Sequence, residues 1–180
     1  GLLAFLGNGY QHYLECIKLA PEDATYHFDA GLNLFQQAKI FILQTENVVE
    51  VSTVSEEVAS KQNQGAELLN KAADHFMEAV RRAPAHAAAW NALGVCRAGD
   101  PLVRQHCFVR AIQLARHPGA WANLGMLYYV HGKRRLAREA FGGLQAVEDN
   151  PMMWVGLGLI NLTENARKPA ADAFRAALET

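Results

Sequence analysis

The sequence has 180 residues, with 17 basic and 18 acidic side chains, is 51% hydrophobic, and carries 30 alanines beside 14 glycines and 6 prolines. A hydrophobic half excludes a disordered chain, three cysteines cannot form a disulfide framework, and the longest apolar run, Met152 to Ile160, is too short to span a bilayer. A net charge of −1 excludes a surface built throughout for nucleic acid, which leaves a soluble, helix-prone protein of a reducing compartment.

The chain opens on Gly1, and the stretch to Gly7 lacks the basic flank of a signal peptide, so an internal piece of a longer polypeptide is expected. Hydrophobic spacing predicts a half-repeat helix over 9–20 and a helix over 24–44 carrying Ala30-Gly31-x-x-Leu34. Residues 45–62 interrupt the pattern. There Val48, Val49, Val51, Val54 and Val58 are mixed with Glu46, Glu50, Glu56 and Glu57, which starts a helix weakly and predicts a lengthened, partly mobile loop that orders against a partner. The second helix of that repeat (24–82 in all) is expected over 63–82. Three compact pairs follow: 87–98 with 101–116, 119–131 with 134–147, and 152–163 with 168–179. Pro21, Pro84, Pro118 and Pro151 stand between repeats, where a helix must stop.

The pairs are copies of one unit. Trp90-x-x-Leu93-Gly94 returns 31 residues on as Trp121-x-x-Leu124-Gly125, and 33 further as Trp154-x-x-Leu157-Gly158. Phe76, Phe108, Phe141 and Phe174 follow at spacings of 32, 33 and 33, with Ala72, Ala137 and Ala170 four residues ahead of three of them. These are the parts of the tetratricopeptide repeat, W-x2-L-G-x2-Y with A-x3-F and a closing proline. Trp121, Leu124, Gly125 and Tyr128 share one face of a first helix, and Ala137, Phe141 and Leu144 share one face of a second. Neither helix buries its face alone, so stacked neighbours supply the stability, and the expected fold is an all-α, right-handed α-solenoid over 1–180. The repeat over 87–116 is about three residues short, turning tightly at Ala98-Gly99-Asp100-Pro101. Arg104 stands there where a small residue should pack; either its guanidinium runs out along its stem or the helix rotates.

The spelling carries a resemblance. Trp90-Asn91-Ala92-Leu93-Gly94-Val95, Gln105-His106-Cys107-Phe108, Ala120 to Tyr128 and Met153-Trp154-Val155-Gly156 together resemble the large tetratricopeptide scaffold subunits of superkiller (Ski) complexes. The likeness is strongest over 87–163 and extends to Leu68-Leu69-x-Lys71 and Glu78-Ala79-Val80-Arg81. It departs at the short turn from Arg97 to Pro101. The resemblance implies a non-catalytic, cytoplasmic scaffold, with a nuclear pool as an alternative, that holds an RNA helicase and β-propeller subunits. Through them it would serve the exosome in 3′-to-5′ decay of messenger RNA.

The residues offer little for other chemistry. The seven histidines, His12, His27, His75, His86, His106, His117 and His131, are scattered over the repeats at no shared phase, so no acid–base pair is expected. His106-Cys107 with Cys96 lacks the spacing of a metal site, and Gly156-x-Gly158 lies inside a helix rather than in a phosphate loop. Neither cofactor, metal, small-molecule substrate nor membrane partner is expected. The residues that face the groove by phase, Ala88, Asn91, Ala92, Val95, Ala122, Asn123, Met126, Val155 and Leu159, include no cation for clamping a peptide carboxylate. An apolar groove fits a protein partner, and a generic adaptor for an apolar helix or peptide is the alternative function. Charge is lopsided about residue 90, −5 before and +4 after. Lys133, Arg134, Arg135 and Arg138 cluster at one interhelix turn, a candidate contact for an acidic partner or a passing phosphate backbone. No aromatic is interleaved with them, so any RNA contact is expected to be indifferent to sequence.

Overall fold

A computed structural model describes residues 1–46, 56–97 and 99–180. Among them are nine helices and no strand: α1 Leu2–Leu19, α2 Ala24–Glu46, α3 Glu56–Arg82, α4 Ala87–Cys96, α5 Pro101–Ala115, α6 Pro118–Val130, α7 Arg134–Gln145, α8 Pro151–Thr163 and α9 Arg167–Glu179. The all-α expectation holds. The chain forms two compact units, Gly1–Ala98 and Gly99–Thr180, and the division falls inside the repeat expected over 87–116.

In the first unit α1 packs on α2, α2 on α3, and α4 against both α2 and α3. Ala30, Leu34 and Ala38 of α2 meet Ala72, Phe76 and Ala79 of α3 in a core with almost no solvent contact. Small residues let the two long helices approach, and the ring of Phe76 fills the space that a side chain at Gly31 would need. A Cβ there would lie 2.7 Å from Phe76 Cε1.

Two helix starts differ from expectation by more than a turn. The half-repeat helix begins at Leu2 rather than at 9, because Gly7 and Gly9 cost a helix only about 1 kcal/mol each and Gly9 lies against Asn33 of α2. The loop expected over 45–62 gives way at its end: α3 starts at Glu56, seven residues before 63. Glu56 and Glu57 sit in its first turn, where acids complement the helix dipole. Lys61 bonds Glu57 at 2.7 Å one turn on. Val48, Val49, Glu50, Val51 and Val54 lie outside the described residues.

In the second unit α5 packs on α6, α6 on α7 and α8, α7 on α8, and α8 on α9. Phe108, Phe141, Ala137, Leu144, Met153 and Ile160 are fully buried, Ala170 nearly so, and Leu124 largely. Trp121, Tyr128, Trp154 and Leu157 are half-buried around this core. Phe141 lies between two helices: a Cβ at Gly125 of α6 would stand 2.6 Å from its Cε1, and one at Gly156 of α8 would run into the same ring. Gly158 serves Phe174, itself half-buried, in the same way at 2.5 Å. In the first unit the matching motif residues Leu93 and Gly94 are buried and Trp90 is half-buried. Arg104 does not run out along its stem: its guanidinium stays over the ring of Phe108, 5.9 Å from the centroid and one turn along α5.

Candidate functional site

The surface open to a partner starts from the first helices of the repeats. α4, α6 and α8 carry no Lys, Arg, Asp or Glu anywhere in their length. Ala88, Asn91, Ala92 and Val95 of α4 are half-buried, and so are Asn123, Met126, Val155 and Leu159 of α6 and α8; Ala122 alone is buried. On α4 in the first unit, and on α6 and α8 in the second, half-buried apolar side chains on charge-free helices give each unit a face of its own that a protein segment can cover at little desolvation cost.

The basic turn is a different kind of surface. Lys133 caps α7 with no side-chain bond to the helix, after Gly132, whose positive φ of 70° reverses the chain. Lys133, Arg134, Arg135 and Arg138 are all exposed. Arg135 meets Glu139 at 3.7 Å one turn on. Arg138 reaches across to the end of α8, 2.8 Å from Glu164 and 3.3 Å from Asn161 Oδ1. The cluster therefore divides. Arg138 ties α7 to α8, while Lys133 and Arg134 make no ion pair among the described residues.

A third site joins residues that lie far apart in the sequence. Tyr10 of α1, His27 of α2 and His75 of α3 converge on a cleft of about 310 Å³ that Lys71, Asp74 and Glu78 also line. Tyr10 Oη and His75 Nε2 are 3.0 Å apart, and His75 Nδ1 and His27 Nδ1 are 3.4 Å apart. Two facing imidazole nitrogens share a hydrogen bond only if one of them lacks a proton, so at least one ring is neutral. Burial, first, and then the Arg82 guanidinium hold His27 below the ordinary imidazole range, against Glu78, the Pro21 carbonyl and Glu22. Burial followed by His27 does the same for His75, against Asp74 and Glu78. The fold thus brings together two histidines that share no phase in the repeats. Repeat register held no signal for this contact, since the positions of His27 and His75 are taken by Trp121 and Ala140 in a later repeat.

Among the described residues no group of three His, Cys, Asp or Glu is placed to hold a metal. Burial pushes the Cys96 thiol up to about 12, which keeps it protonated and unreactive. No helix among the described residues is long and apolar enough to cross a membrane.

No family model matches the sequence. The chain is 32% identical over 119 residues to tetratricopeptide repeat protein 37 of Xenopus laevis, a match that covers 63% of this chain and 8% of that protein. Among solved structures it is similar to MamA, with a TM-score of 0.70 at 18% identity over 97% of this chain and 87% of that one. It is also similar to the APC/C hetero-tetramer Cut9–Hcn1, with a TM-score of 0.60 at 15% identity over 96% of this chain and 35% of that one. A third likeness is to YrrB, a TPR protein with an unusual peptide-binding site, with a TM-score of 0.53 at 16% identity over 93% and 91%. The fold is that of the tetratricopeptide-repeat solenoids.

Proposed function

We propose, from the premise that the chain is a tetratricopeptide-repeat protein, that it is a non-catalytic scaffold segment of a Ski-type complex. It holds an RNA helicase and β-propeller subunits in the cytoplasm and so supports 3′-to-5′ decay of messenger RNA by the exosome. The observation that carries this reading is the 32% identity over 119 residues to tetratricopeptide repeat protein 37. Its mechanism is positional. Within the second unit, ring-on-glycine contacts of Phe141 and Phe174 lock α6 and α8, so a partner that meets their charge-free faces finds them preformed and little ordering is left to binding.

The test is affinity purification of the intact protein, compared with the triple substitution Arg134→Glu, Arg135→Glu, Arg138→Glu. Recovery of an RNA helicase together with β-propeller subunits supports the scaffold. Their absence from the wild-type purification overturns it. A triple variant that folds and keeps all partners and any RNA association at low salt removes the basic turn from the interface.

The half-buried Met126, Val155 and Leu159 favour a second reading, an adaptor that lays one apolar helix or peptide along α6 and α8. A single client bound through one short segment, with no helicase, would select it.

A further inference from the structure

The three tryptophans that open the first helices differ in their hydrogen bonding. Trp90 Nε1 donates to the Pro84 carbonyl at 2.9 Å, and Trp154 Nε1 donates to Asp149 Oδ1 at 3.0 Å. Trp121 Nε1 is buried and has no acceptor among the described residues. A buried N–H almost always finds a partner, so this one requires an explanation.

Repeat register supplies it. Asp149 stands five residues before Trp154, and five residues before Trp121 stands Arg116. Where one repeat places a carboxylate, its neighbour places a guanidinium, which can only donate. Arg116 is the C-cap of α5, is exposed, and makes no ion pair among the described residues. Arg116 and Trp121 border a cleft of about 430 Å³ walled by Ile112, Ala146 and Val147. Its floor is Gly143, where a Cβ would lie 2.7 Å from Trp121 Cζ3. Glu148, one residue past Val147, already accepts from Asn150 Nδ2 at 2.6 Å.

We propose that this cleft docks a partner polypeptide through an aspartate or glutamate side chain that stands beside a small aliphatic residue. The incoming carboxylate pairs with Arg116 and, as the edge of the cleft opens to uncover the buried indole N–H, accepts from Trp121 Nε1, the place that Asp149 fills for Trp154. The aliphatic neighbour lies against Ile112, Ala146 and Val147. An exposed Arg–carboxylate pair alone contributes little. Selectivity comes from adding a charge-assisted bond to a donor that is already desolvated, together with the apolar wall. The inference rests on the chain being a protein-binding array and does not depend on the assembly it serves.

The test follows the indole itself. In ¹⁵N-labelled full chain each of the three tryptophans gives an indole N–H signal, and Trp121→Phe identifies the one that matters. The probes are capped hexapeptides with a central Asp or Glu flanked by Ala, Val or Leu, each beside its Asn or Gln counterpart. Acidic members are expected to shift the Trp121 signal and leave those of Trp90 and Trp154 in place, with the amide counterparts about ten-fold weaker. Arg116→Asp installs the residue of the next repeat, and is expected to keep the helical fold and lose the peptide. Should that variant fold poorly, Arg116→Gln serves, with the same expected loss. The proposal is overturned if no acidic peptide shifts the Trp121 signal, if the amides bind equally well, or if the folded Arg116 variant binds unchanged. A short RNA that shifts that signal where peptides do not also overturns it. Recovery of helicase and propeller subunits in the purification is a separate readout, so either result can fail while the other stands.

Discussion

Phe141 touches two glycines that belong to different repeats, Gly125 in its own and Gly156 in the next. Adding a methyl group at Gly125 forces it into the ring, and overpacking of this kind costs about 1–3 kcal/mol. Gly125→Ala is therefore expected to lower the unfolding free energy read from a urea titration by that margin. Gly142 is the control: it lies in α7, is exposed, and a Cβ there meets nothing within 4 Å. Gly142→Ala is expected to raise stability by about 0.5–1 kcal/mol in the same titration, by helix propensity alone. The motif glycines are legible in the sequence because the repeat states their spacing three times. The Tyr10, His27 and His75 contacts are not, because they depend on how α1 and α3 rotate about α2, and no repeat copy restates them. The exchange of Asp149 for Arg116 sits between these cases, visible in the letters once the indole bonds show which positions correspond.

At the level of the helices, the ends reveal what the pattern hides. Asp100 caps α5, accepting from Leu102 N at 3.0 Å and Val103 N at 3.2 Å, with Pro101 in the first turn. Such a cap stands out in the sequence, and Asp100→Ala is expected to cost about 1 kcal/mol in thermal or urea unfolding. His86 and His117 cap α4 and α6 through ring nitrogens, accepting from Ala89 N at 3.1 Å and Ala120 N at 3.3 Å. Histidine is not among the usual cap residues, so these escape a sequence rule. A ring nitrogen accepts only while it is unprotonated, and burial holds His117 below its ordinary range. His117→Asn is expected to preserve the start of α6, seen as unchanged amide protection at Ala120, and to remove its sensitivity to acid. The early start of α3 has a related cause, since the acids taken as a sign of a loop are what the first turn of a helix favours.

For the molecule as a whole, the two units answer acid differently. In the first, burial lowers the pKa of His27 and His75, so the fold takes up their protons at lower pH than the unfolded chain, where uptake begins below about pH 6.5. The unfolded state then binds more protons, so their contribution is complete above that pH and is lost as pH falls below it. Asp74, Glu78 and Glu22 moderate the loss, while Arg82 and a second imidazolium add to it. Hydrogen exchange at pH 5.5 against 7.5 is expected to show α1, α2 and α3 losing protection. In the second unit the loss should be confined to the first turn of α6, at His117. His75→Gln, which keeps a hydrogen-bonding group for Tyr10 but does not titrate, is expected to flatten the response of the first unit.

The doubly seated Phe141 also governs how such a chain could be edited. If repeats are counted from one tryptophan to the next, Gly156 looks like a private matter of the third copy. The ring that forbids a larger residue there is, however, encoded by the second. A cut at that boundary would part a lock from its key, so a transplanted α8–α9 pair would need α7 to come with it. The heritable module of this array is offset from the printed one: it begins at a phenylalanine and ends at the glycine that follows.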